Sequence, residues 1–195
     1  MRAVVILILA FVWLAKAGTN EDFARTIAPL VDPAKLATLK ERGANPRVQK
    51  YVAQLGEAKI AGHDVERIAE RAVALAGMKG EAARLTAAAM VRNVTIAERL
   101  GCLDAAGLRD MRKGQSPTIQ RGPYKGQELS VDHILPVSIA PELGNVMANL
   151  ELLPLRLNQA KGNEIDQRGL DTNVDWTLPR SCGRPGCSVN RDCAP

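Results

Sequence analysis

The side chains best suited to chemistry lie between residues 129 and 162. Asp132 is followed directly by His133, one of only two histidines in the 195-residue chain. Asn145, Asn149 and Asn158 follow, and Lys161 stands three residues beyond the last. A carboxylate and an amide oxygen are hard donors that suit Mg²⁺ or Mn²⁺ and leave positions for water and a phosphate. With one histidine in the stretch, a histidine-rich transition-metal centre is excluded by count. An imidazole beside such a metal can accept a proton from water near neutral pH. Base, oxygen-held metal and a nearby cation are the parts needed to hydrolyse a phosphodiester.

Those groups need elements to bring them together. Residues 129–134 alternate and end in a short apolar run, so a strand is expected there, with Pro136 ending it. Residues 149–153 predict a second short strand, after which Pro154 opens a helix carrying Leu155, Leu157, Asn158 and Lys161. The order strand, loop, strand, helix can set Asp132 and His133 against Asn158. Just upstream, at Gln115, the texture changes: Ser116-Pro117, Gly122-Pro123 and Lys125-Gly126 are turn signals. Five bases, Arg109, Arg112, Lys113, Arg121 and Lys125, face Asp110 alone and form a stripe that could hold phosphates or simply be solvated. Tyr124 among them could stack on a base, although packing against the protein is the simpler expectation.

The stretch 21–114 has the periodicity of helices. Asp32-Pro33 and Asn45-Pro46 each place a capping side chain before a proline at the first helical position. Gly43, Gly77, Gly101 and Gly114 fall where helices should stop. Residues 64–76 repeat apolar side chains at helical spacing, 81–100 predict a longer helix, and Asp104 caps a short one to Lys113. His63, in a loop without neighbouring ligands, carries little functional weight. The expected class is α+β, predominantly α: a helical region followed by a small ββα unit.

The N-terminus bears on compartment. An apolar run over residues 3–15 follows Arg2 and ends in Ala15-Lys16-Ala17, a small-residue cleavage pattern. This predicts a signal peptide over residues 1–17 and export, periplasmic or secreted, after cleavage near Ala17; a retained anchor is the alternative. Losing Arg2 and Lys16 would lower Lys plus Arg from 26 to 24 against 21 acids, a net of +3. That balance demands neither a nucleic acid nor a stable membrane association. Cys102, Cys182, Cys187 and Cys193 are an even number, so disulfides are expected, with three pairings open. No C-x2-C pair exists, which argues against structural zinc.

The run Val131-Asp132-His133-Ile134-Leu135-Pro136-Val137-Ser138, then Asn149-Leu150, then Asn158-Gln159-Ala160-Lys161-Gly162, resembles the HNH endonucleases of the ββα-metal type, in the variant ending in Asn. The resemblance covers about 35 residues. Each residue alone has an ordinary structural reading; four separated positions agreeing in identity and order make the pattern specific. The resemblance implies His133 as general base, Asp132 and Asn158 as ligands of Mg²⁺ or Mn²⁺, Asn149 as a brace of the loop, and Lys161 on a phosphate. Asn145 competes for the place of Asn149. The zinc-binding cysteine pairs of many HNH proteins are absent. On this reading residues 18–114 are a helical region, 115–168 the catalytic unit and 169–195 a cysteine-bearing tail. The substrate is nucleic acid, DNA in the first place and RNA besides. The rival reading is a non-catalytic exported module that binds nucleic acid or docks a protein on the same scaffold.

Overall fold

Helix α3, Asn45–Ile60, buries most of its circumference, with Lys50, Gln54 and Glu57 on the remaining side, and that places it at the centre. Val48, Tyr51, Val52, Ala53, Leu55 and Ala58 on it are all fully buried. The computed structural model describes residues 18–163, and around α3 it arranges α1 (Asn20–Val31), α2 (Pro33–Leu36), α4 (Val65–Leu75), α5 (Gly80–Arg99) and α6 (Ala105–Arg112). Two antiparallel strands follow, β1 (Leu129–His133) and β2 (Leu150–Pro154), and then α7 (Leu155–Lys161). The fold is α+β and mostly helical, with one two-stranded sheet, as the sequence predicts.

Local chemistry sets most helix ends. Asp32, Asp64 and Asp104 accept from the first-turn amides of α2, α4 and α6, Ala34 at 3.0 Å, Arg67 at 2.9 Å and Gly107 at 2.7 Å. Gly77, Gly101 and Gly114 end α4, α5 and α6 with φ near +80°. Two expectations fail. Asn45 lies inside α3 rather than capping it, because Ala44 already takes helical angles and leaves the amide oxygen no amide to meet. The left-handed residue before α3 is Arg42, φ 60°, not Gly43. Gly107 is required for a different reason, since a Cβ there would stand 2.0 Å from the Cys102 carbonyl oxygen.

The helices and the sheet share one core. Tyr51, Met90, Ile96, Met111, Leu129, Leu150 and Leu152 belong to the same buried cluster. The change of texture at residue 115 is therefore not a break in packing. Tyr124 packs against that core, as expected. Cys102 is buried and carries no disulfide among the described residues. Cys182, Cys187 and Cys193, the rest of the tail from residue 164, and the expected signal peptide lie outside the described residues. Among the described residues no helix is long and apolar enough to cross a membrane.

Candidate active site

Strand register decides which groups can meet. Asp132 pairs with Glu151, Val131 with Leu152 and His133 with Leu150. The Ile134 amide donates to the Asn149 carbonyl at 2.9 Å. Antiparallel ladders alternate bonded and non-bonded pairs, so Asp132–Glu151 and Ser130–Leu153 are bonded pairs. The backbone groups of Val131, His133, Leu150 and Leu152 then face outward, along the two free edges of the sheet.

Helix α7 closes the β1 edge. The Asn158 amide donates to the Val131 carbonyl at 3.3 Å and to Ser130 Oγ at 3.0 Å. One turn on, Lys161 Nζ donates to the His133 carbonyl and to Asp132 Oδ2, the latter at 2.7 Å. The ion pair is buried, with 5% and 9% of the two side chains exposed. Lys161 thus sits on the acid rather than standing free for a phosphate as the sequence reading expects. The reason is spacing: three residues past Asn158, it reaches the same strand two residues further along.

His133 is buried, and its Nε2 lies 2.8 Å from the Gly144 carbonyl oxygen. A carbonyl can only accept, so in the neutral ring Nε2 carries the proton and Nδ1 keeps the lone pair. Nδ1 has no hydrogen-bond partner among the described residues. Asp132 and His133 are neighbours on a strand, and their side chains leave it on opposite faces. Accordingly, the imidazole is fixed by the loop, while Asp132 and Asn158 are fixed around α7. No hydrogen bond joins the His133 ring to Asp132 or Asn158 among the described residues.

The loop that holds the histidine is laced by Asn149. Its Oδ1 accepts from the Leu135 amide at 2.8 Å, and its Nδ2 donates to the Leu135 and Leu143 carbonyls at 3.0 and 3.3 Å. Asn145 works elsewhere: it accepts from the Ala44 amide at 3.1 Å and donates to the Leu39 and Lys40 carbonyls. It ties the loop to the α2–α3 connection, about a hundred residues away in sequence. Asn149 is the loop brace, and Asn145 is the tether.

Two residues of this region escape a motif-based reading. Glu151 is fully buried opposite Asp132. Asn93 on α5, also fully buried, accepts from the Leu152 amide at 2.9 Å and donates to the Leu150 carbonyl at 3.0 Å and to Tyr51 Oη at 2.6 Å. It satisfies the β2 edge as a third strand would. A buried asparagine inside an alanine-rich helix is the signal that could have marked it.

The other candidates separate by partner. Arg109 and Arg112 pair with Asp110 and Glu57, whereas Lys113, Arg121 and Lys125 are exposed without an ion pair among the described residues. Gln127 and Glu128 meet the first turn of α7, since the Leu155 amide donates to the Glu128 carbonyl at 2.9 Å. The turn carrying Lys125 therefore adjoins the candidate unit. His63 bonds Asn20 at 2.8 Å through Nδ1 and packs on Phe23, a structural role. Burial, with a contribution from Asp104, pushes the Cys102 thiol up to about 12, which keeps it protonated and inert.

A hard divalent cation fits the residues in kind. The Lys161 ammonium already holds a cation's place on Asp132 Oδ2 and the His133 carbonyl. Asp132 Oδ1 and Asn158 Oδ1 carry no hydrogen bond among the described residues. Among the described residues no three His, Cys, Asp or Glu side chains are grouped where they could hold a metal ion. Comparison of the chain with protein families, with curated proteins and with solved structures gives no match.

Proposed function

We propose that this chain is an exported, metal-dependent endonuclease of the HNH type that hydrolyses phosphodiester bonds in DNA, and in RNA as a further substrate. The observation that supports this most is the histidine: a buried imidazole, locked by a loop carbonyl at Nε2, with the opposite nitrogen left as base. A general base needs a ring nitrogen with a free lone pair, and the loop carbonyl at Nε2 fixes Nδ1 as that nitrogen.

In this reading Asp132 and Asn158 hold Mg²⁺ or Mn²⁺ through their oxygens. When bound, the metal supplies Lewis-acid stabilisation of the charge that develops on the phosphoryl and leaving oxygens. His133 Nδ1 takes a proton from water as the water oxygen bonds to phosphorus, the bond to the 3′ oxygen breaks, and that oxygen takes up a proton from solvent water. The products carry 5′-phosphate and 3′-hydroxyl ends. Asn149 keeps the Gly144 carbonyl in place through its bonds to Leu135 and Leu143, so its contribution is positional. Exposed Lys113, Arg121 and Lys125 offer sequence-independent phosphate contacts, and binding should weaken steeply with salt.

The rival, a non-catalytic nucleic-acid or protein-docking module, is separated by one assay. Purified mature protein is incubated with supercoiled plasmid and with RNA across Mg²⁺, Mn²⁺ and other divalent ions, then with EDTA. Metal-dependent nicking abolished by EDTA is expected; no cleavage with any ion removes the enzyme reading.

A further inference from the structure

The Lys161–Asp132 pair invites a question that the proposed chemistry does not answer. A buried carboxylate with no counter-charge is costly, and desolvation makes an ammonium costly too. Each offsets the other at 2.7 Å. Yet Asp132 is also the residue through which a divalent cation would be held. The ammonium and the metal ion are two cations with a claim on one carboxylate.

We infer that Lys161 is a built-in competitor for the metal: its ammonium occupies Asp132 while no ion is bound, and metal entry displaces it. The inference rests on the metal-dependent reading above. Three features support it. The ammonium uses an oxygen of Asp132 and the adjacent His133 carbonyl, so it sits on the side of β1 that faces Asn158. Asn158 and Lys161 are three residues apart on α7, one turn of the same helix, so the metal's second oxygen and its competitor share one support. Lys161 is also the last residue of α7, followed by Gly162 at φ 54°, where the helix ends. A long side chain at a helix end can leave its partner without moving the helix. Once displaced, the ammonium is a mobile cation beside the metal, placed to meet a phosphate of the substrate. Lysine rather than arginine suits this exchange, because a single-point ammonium releases more readily than a bidentate guanidinium.

The test is metal binding without nucleic acid, so that activity plays no part. Mn²⁺ affinity is measured by calorimetry on the mature full chain for the wild type, Lys161→Met and Lys161→Arg. Methionine keeps an apolar stem and removes the competing charge. Mn²⁺ affinity should rise about tenfold in Lys161→Met and should not rise in Lys161→Arg. Unchanged or weaker affinity in Lys161→Met would overturn the inference while leaving the metal site standing. Absence of Mn²⁺ binding in the wild type and both variants would remove the metal reading itself, and this inference with it. A second measurement needs no variant. In the wild type, the slowly exchanging ammonium signal of Lys161 in a ¹H–¹⁵N spectrum should be lost on saturation with Mg²⁺; its persistence would overturn the displacement.

Discussion

The two free edges of the β1–β2 sheet are both closed by an asparagine from a helix, but the closures differ. On the β2 edge, Asn93 gives and receives: it accepts from the Leu152 amide and donates to the Leu150 carbonyl and Tyr51. Donor and acceptor are both used, nothing is charged, and the whole arrangement is buried. On the β1 edge, Asn158 and Lys161 only donate, to the Val131 and His133 carbonyls and to their neighbours Ser130 and Asp132. The oxygens Asn158 Oδ1 and Asp132 Oδ1 have no hydrogen bond among the described residues. A saturated neutral network fixes a scaffold; a charged network with spare hard oxygens is a site that can take a cation. The same residue type and the same backbone geometry therefore close one edge with a saturated neutral network and the other with a charged pair, and on the proposed function only the second takes part in chemistry.

Substitutions on the two edges should separate these roles. Asn158→Ala removes a metal oxygen, and nicking at fixed Mn²⁺ should fall on the order of 10²-fold or more, with a higher Mn²⁺ concentration for half-maximal rate. Its melting temperature should change little. Asn93→Ala should do the reverse. It leaves the Leu152 amide and the Leu150 carbonyl buried and unpaired, at about 1–3 kcal/mol each, so denaturant midpoints should drop clearly while Mn²⁺ affinity holds in the folded fraction. Equal stability losses at the two positions would break the comparison.

The Asn93 network also has a pH signature. Burial pushes the Tyr51 phenol up to about 12, with the Asn93 hydrogen bond opposing. A phenol raised in the folded state leaves stability intact below its unfolded value near 10. The stability is lost as pH rises from 10 towards 12, because the unfolded chain ionises first. A loss of roughly 2–3 kcal/mol across that window is expected, from about 1.4 kcal/mol per pH unit. Tyr51→Phe should flatten the pH dependence between 10 and 12; an unchanged slope would contradict the assignment.

The smallest effect should come from replacing the ion pair as a unit. Asp132→Leu with Lys161→Met exchanges a buried charged pair for apolar side chains, a change that is often neutral or stabilising. Chemical denaturation should place the double variant within about 1 kcal/mol of the wild type, with no nicking activity. A large destabilisation would show the pair to be structural and blur the difference between the edges.

How far these roles were legible in the sequence follows from the distance over which each acts. Caps by Asp32 and Asp104 and stops at Gly77, Gly101 and Gly114 act over two to four residues, and the sequence shows them; the Asp64 cap is as local, but the sequence reading does not single it out. Both strands and the start of α7 follow from local pattern, shifted by about one residue, while a helical continuation expected past Gly162 to about Arg168 is not formed at residues 162–163 and otherwise lies outside the described residues. Asn45 misled because an Asn-Pro pair signals a cap only if the preceding residue is non-helical, and Ala44 is helical. The remaining features depend on partners far away in the chain. Asn93 meets β2 across 57 to 59 residues, Asn145 meets Ala44 across 101, and Lys161 meets Asp132 across 29. Motif spacing brought Asp132 and Lys161 to attention separately and could not show that they bond to each other. Nor could it show that the His133 ring is held by the loop and not by Asp132 or Asn158.

The central claim is that the imidazole anchored on Gly144 activates water. The most direct measurement is the single-turnover nicking rate of His133→Ala against the wild type at saturating Mn²⁺, with circular dichroism confirming equal folding. A fall of about 10²–10⁴-fold, the usual worth of a general base, is the expected result. Equal rates in the two proteins would contradict it.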